Sequence, residues 1–279
     1  MGITRIGVVN GTGEWDDTDY ETSMAPSFCR QIYDQLGDQT CKYLRGPSSD
    51  GVSVRSKAHD IADWFKGASR PGDRIYLAGY SRGASAAVYA AELLQERGFV
   101  VDGLFLFDAV ARHVWSSLGG TGIPGNVALS VHAVRSTDPA FVARYEGSIN
   151  GGLGNPVRPW FGGTALSTPN TGNHDRQQFK GSHGAIGGVG WRHVVEDAAC
   201  QQQVVDYMNP YLTRLLGVTL VSKPTGGEVS TTWAGRVLNN ELIGEGYLAA
   251  GAENLSTAAR WARDAAARQA QSLRSRVGF

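Results

Sequence analysis

The sequence predicts an α/β protein, a mostly parallel sheet with helices on both faces. Three observations predict it. Short apolar runs alternate with segments of helical spacing from residue 3 to residue 134. Several of those runs are nearly continuous, as strands buried on both faces are. One of them, Ile75-Tyr76-Leu77-Ala78, leads through Gly79-Tyr80-Ser81-Arg82-Gly83 into an Ala-rich helix, so a G-x-S-x-G turn joins strand to helix.

Taken in order, Ile3 to Asn10 reads as a strand ending in Gly11-Thr12-Gly13. Pro26 to Leu36 has helical spacing in Phe28, Ile32, Tyr33 and Leu36 and stops at Gly37. Thr40 to Leu44 is a short strand. Val52 to Phe65 is helical, with Ile61, Trp64 and Phe65 on one face. The turn Pro71-Gly72-Asp73 precedes the central strand, and Ala84 to Leu94 is the helix after it. Val100 to Phe107 is apolar but for Asp102 and Gly103, and it closes at Asp108. Val127 to Val134, after the turn Ile123-Pro124-Gly125-Asn126, is a further strand.

From Gly147 to Asn173 the periodicity vanishes and Gly, Asn, Pro and Thr dominate, which marks a loop excursion. Trp160 and Phe161 within it are candidates to line a substrate cleft, or equally to anchor a surface loop. Gln178 to Ser182 is read as a short strand, followed by His183 and a glycine cluster. His193 to Leu216 is a long helix. The expected division is a catalytic body over residues 1–217 and an extension over 218–279. The extension opens with a candidate strand at Val218–Val221 and ends in an Arg- and Ala-rich helix from Asn254 to Val277. The apolar face of that helix is mostly Ala, which favours packing on the body or a partner chain over a membrane surface.

Composition excludes some classes. With 42% hydrophobic and 19% charged residues the chain is an ordinary globular one. Lys plus Arg equals Asp plus Glu at 26 each, so no net charge favours nucleic acid. Three cysteines make no disulfide framework, although a Cys29–Cys41 bridge stays open, and no Cys/His spacing suggests zinc. The first strand is too short for a signal peptide and no run is long enough to span a membrane. The expected location is the cytoplasm, or export without a cleaved leader.

The chemistry centres on Ser81. A serine on so sharp a turn is exposed at the end of the sheet, and the helix behind it points N–H groups and a positive dipole end at the site. A glycine-rich turn with a helix-capping serine would also fit the five residues alone. A serine hydroxyl needs a base and the base an orienting acid. Of six histidines, His183 fits best, after an apparent strand end and among small residues. His174 is second, and His59, His113, His132 and His193 follow. Asp108 and Asp138 are rival acids at strand ends, with Asp175 a third. One oxyanion donor is expected from the backbone of Arg82 and the other from the Gly11-Thr12-Gly13 loop, at Thr12 or Gly11, the residues themselves not singling out which of the three donates. No metal or organic cofactor is required.

Five segments together resemble a known family. They are Asn10-Gly11-Thr12-Gly13-Glu14-Trp15, Gly79-Tyr80-Ser81-Arg82-Gly83-Ala84, and Gly103 through Val110. The others are Ile123-Pro124-Gly125-Asn126-Val127 running to His132-Ala133-Val134, and Phe179 through Gly188. Over about residues 3 to 215 the chain is similar to the catalytic domain of type VI secretion phospholipase effectors and related bacterial α/β-hydrolases. The resemblance implies an α/β-hydrolase fold and a Ser81–Asp108–His183 triad, in preference to Asp138. It also implies hydrolysis of esters, phospholipid acyl esters among them. The chain departs from the family pattern at Asn10, Ala109 and Ala185. The expected activity is that of an esterase or lipase, with an ester or phospholipid as substrate. The alternatives are an antibacterial effector acting at membranes, with an immunity or carrier protein as partner, and an inactive binding or structural module on the same fold.

Overall fold

A computed structural model of the chain describes residues 2–12, 17–47, 53–110, 122–136, 172–181, 183–189 and 194–223. Among them, six strands form one parallel sheet: β1 (Thr4–Val9), β2 (Cys41–Leu44), β3 (Arg74–Tyr80), β4 (Gly103–Phe107), β5 (Leu129–Arg135) and β6 (Asn173–Phe179). The helices are α1 (Asp17–Met24), α2 (Phe28–Leu36), α3 (Val54–Ala68), α4 (Arg82–Glu96), α5 (His183–Gly187) and α6 (Val194–Leu216).

Successive side chains of a strand face opposite ways, and here both faces are covered. Tyr76, Ala78 and Tyr80 of β3 and Phe105 and Phe107 of β4 pack beneath α1, α2, α5 and α6. Ile75, Leu77, Leu104 and Leu106 pack beneath α3 and α4. This two-sided burial is why the central strands read as unbroken apolar runs. A parallel sheet between helical layers, with a serine turn leading from a central strand into a helix, is an α/β-hydrolase fold.

The strand order is β2-β1-β3-β4-β5-β6. The chain leaves β1 over one face, through α1 and α2, and crosses from β2 to β3 over the other, through α3. The carboxyl ends of β1 and β3 therefore border the point where the winding reverses, the usual place for a ligand crevice in such sheets.

Local chemistry sets the elements. The Ser27 hydroxyl accepts the Arg30 N–H at 3.1 Å and caps α2, which Gly37 ends at φ 68°. The Asp73 carboxylate accepts N–H groups from Ile3 at 2.7 Å and Arg70 at 3.0 Å and pairs with Arg5 at 3.0 Å, fixing the entry of β3 beside β1.

Four expectations need correction. The last strand starts at Asn173, not Gln178, and takes in residues assigned to the loop. Its sequence, NHDRQQF, is polar and largely solvated, so it carries no apolar signal. Helix α1 escapes sequence reading because, of its eight residues, the buried apolar side chains are Tyr20 and Met24. The glycine cluster after His183 begins as a five-residue helix with every residue buried. Small side chains let it sit tightly on the core. Val218–Val221 is no strand. Side-chain amides hold it instead. Gln35 exchanges two hydrogen bonds with the peptide of Thr219, Asn209 with Leu220 and Gln31 with Val221, all six between 2.8 and 3.1 Å. Val218 and Leu220 are buried between α2 and α6.

Cys29, Cys41 and Cys200 are free and buried, so the open Cys29–Cys41 bridge is absent. No helix among the described residues is long and apolar enough to cross a membrane. Asp138, His113, His193, Trp160, Phe161, nearly all of the 147–173 excursion and the Arg-rich helix lie outside the described residues.

Candidate active site

The site is built at the carboxyl ends of β1, β3 and β4. Ser81 follows β3 directly and precedes α4, with φ 58° and ψ −128°. A non-glycine residue there carries about 1–3 kcal/mol of strain, so the surroundings must hold it. They do so through its backbone. The Ser81 N–H donates to the Phe107 carbonyl at 3.0 Å, and the Ser81 carbonyl accepts from Ala84 at 3.1 Å and Val110 at 3.0 Å. The two motif glycines have separate reasons. A Cβ at Gly79 would lie 2.6 Å from Ala84 Cα, inside the turn, whereas one at Gly83 would strike the Asn10 and Val9 carbonyl oxygens. Gly83 thus serves the approach of α4 to β1, not the strand–helix turn itself.

Asp108 closes β4 in the left-handed region, at φ 42°. Its N–H donates to Ala133 at 2.7 Å, and its Oδ1 accepts the Arg135 N–H at 3.1 Å. Its Oδ2 lies 2.8 Å from His183 Nδ1, with both side chains wholly buried. A carboxylate at Nδ1 fixes the tautomer with its proton there and leaves Nε2 as the basic nitrogen.

Tyr80, the residue before the serine, ties His183 to the elbow. Its ring packs on the imidazole with centroids 4.9 Å apart, and its hydroxyl donates to the His183 carbonyl at 3.2 Å. Burial, and next the Asp108 charge, push the phenol well above its usual range, so it stays a donor. Ser81, Asp108 and His183 are thus gathered at one corner through the Tyr80 ring and the Phe107 carbonyl.

The oxyanion loop is only partly as expected. Gly11 is not a donor, because its N–H is already given to Asn10 Oδ1 at 2.8 Å. Thr12 remains, buried and with its hydroxyl 3.5 Å from the Arg82 guanidinium, which places the β1 loop beside the first turn of α4. Asn10 is wholly buried. Its amide donates to Ser27 and Tyr43, each at 2.9 Å, which ties the end of β1 to α2 and β2.

The other candidates lie elsewhere. His174, on β6, bonds Ser130 Oγ at 2.8 Å. His59 is exposed on α3, edge-on to Tyr89. Asp175 accepts the Tyr211 hydroxyl at 2.6 Å. His132 is buried on β5 and touches the acid turn from behind, where its Nε2 accepts the Ala109 N–H at 3.2 Å. Sequence reading missed Tyr80 and demoted His132. A histidine inside an otherwise apolar run was the available signal for the second.

No protein-family model and no curated protein matches the sequence. Among solved structures, the RedJ thioesterase of the prodiginine pathway in Streptomyces coelicolor is similar over 67% of this chain and 81% of its own, at 15% identity and a TM-score of 0.36. An α/β serine hydrolase without a lid from Xanthomonas campestris is similar over 75% and 84%, at 13% identity and 0.37. YbtT, a type II thioesterase of the yersiniabactin pathway, is similar over 77% and 94%, at 13% identity and 0.36. Likenesses this distant carry no argument about activity.

Proposed function

We propose that this chain is a serine hydrolase that cleaves carboxylic esters through an acyl-enzyme on Ser81. The observation that supports the reading most is the buried 2.8 Å bond between His183 Nδ1 and Asp108 Oδ2, next to a serine held in a strained turn. The hydroxyl of Ser81 attacks the ester carbonyl and its proton passes to His183 Nε2. The tetrahedral oxyanion is held by the backbone N–H groups of Arg82 and Thr12, where one donor is worth about 2.7–4 kcal/mol. The N-terminus of α4 adds its dipole. His183 then protonates the leaving alkoxide. Water, deprotonated by the same imidazole, releases the acid and restores the serine. Asp108 stays ionised throughout and stabilises the imidazolium.

Ser81→Ala is expected to abolish turnover of a short-chain aryl ester and labelling by a fluorophosphonate. Full turnover in that variant would remove the nucleophile assignment, and a wild-type chain that takes no label would instead favour an inactive module on this fold. Within esters, phospholipid acyl esters are the class that the motif resemblance implies. Fatty-acid release from phospholipid vesicles, compared with turnover of the soluble ester, separates a phospholipase acting at membranes from a general esterase.

A further inference from the structure

We propose that His132 is a positioning residue for the catalytic acid, a role that rests on the triad reading above. One strand, β5, grips the turn that carries Asp108 at three places. Ala133 accepts the Asp108 N–H at 2.7 Å, the Arg135 N–H donates to Asp108 Oδ1 at 3.1 Å, and His132 Nε2 accepts the Ala109 N–H at 3.2 Å. The first two are backbone groups that any residue would supply. The third belongs to a side chain, so it alone depends on the residue type.

The need for it follows from the backbone. Asp108 turns into the left-handed region at φ 42°, and Ala109 lies past the end of β4. The peptide N–H of a wholly buried residue there needs an acceptor, and leaving it without one costs about 1–3 kcal/mol. His132 pairs in register with Leu106, two residues before Asp108, so a side chain as long as histidine reaches forward to Ala109 from the neighbouring strand. Nε2 can accept only as a lone pair, so the bond also fixes His132 as the neutral tautomer with its proton on Nδ1. Without it the peptide after Asp108 loses one of the bonds that hold the acid turn, and the carboxylate is held less closely to its place. A misplacement of this kind costs on the order of 10²-fold in rate while leaving substrate binding alone.

The test compares His132→Gln, whose Oε1 lies as many bonds from Cβ as Nε2, with His132→Asn, whose oxygen falls short, and with apolar His132→Leu. On a wild-type protein whose ester turnover depends on Ser81, the Asn and Leu variants are expected to lose roughly 10- to 100-fold in kcat with KM within about twofold. The Gln variant is expected to recover to within about threefold of wild type. Equal kcat in the folded Gln and Asn variants, or an unchanged kcat in Leu, would overturn the proposal and leave the triad reading intact. Should the Leu variant fail to fold, the Gln and Asn pair decides.

A measurement that needs no turnover keeps the two readings apart. The low-field proton resonance of the His183 Nδ1–H bond to Asp108, identified by its loss in His183→Gln, should persist in His132→Gln. It should broaden or shift in His132→Asn. The same resonance in both variants would overturn the proposal whether or not an ester substrate is found.

Discussion

At the scale of single residues, the candidate site is held by side chains wholly buried behind it. Tyr80 is the clearest. It presents a ring to the imidazole and a hydroxyl to the main chain of the same residue, so one side chain holds His183 in two directions. Tyr80→Phe keeps the ring and removes the bond, leaving a buried carbonyl with one partner fewer. The expected loss is about 0.5–1.5 kcal/mol in stability and, through the looser imidazole, a roughly 2- to 10-fold slower rate of fluorophosphonate labelling. Thermal unfolding and labelling rate on the same preparation check both. Position alone left Asp108 level with Asp138, and only the motif resemblance preferred it, whereas the strand–turn–helix setting of Ser81 was legible from the residues themselves. The function of Gly11 was not. Its N–H looked available as part of a flexible loop, and only the neighbouring Asn10 side chain shows that it is taken.

At the scale of elements, strands buried on both faces announced themselves and the polar edge did not. Strand β6 is recognisable only by its pairing with β5, seven residues in register from Leu129 to Arg135. Periodicity reports burial, and an edge strand that is mostly solvated has little burial to report. The turn before β3 makes a prediction at this scale. Two backbone N–H groups and then the Arg5 guanidinium hold the Asp73 carboxyl below the usual aspartate range. A carboxyl so lowered stabilises the fold above its unfolded pKa, and that contribution is lost as pH falls through the lower folded value. Urea midpoints are therefore expected to drop as pH is taken below about 4, and Asp73→Asn should flatten part of that drop while lowering the midpoint at neutral pH.

At the scale of the whole molecule, burial decides which reactive groups are silent. Cys29, Cys41 and Cys200 are all within the core, and burial, with Asp38 adding its charge, pushes the Cys41 thiol up to about 12. The native protein is expected to give no fast reaction with a thiol-specific disulfide reagent, and one equivalent per cysteine after denaturation; a rapid native reaction would contradict the packing. The alternation of β1 to β5 with helices, and so a parallel sheet, was readable from residue order. The way residues 218–223 meet α2 and α6 was not, because it lies in glutamine and asparagine side chains that carry no periodic signature. That attachment has a bearing on how the tail can change. Three amides recognise peptide groups and ignore what hangs from them, so positions 219 and 221 can drift in identity without weakening the hold. One inserted residue is another matter. It would trade the inward side chains of 218 and 220 for outward ones and unseat every amide at once, so the spacing of this stretch is constrained where its spelling is not.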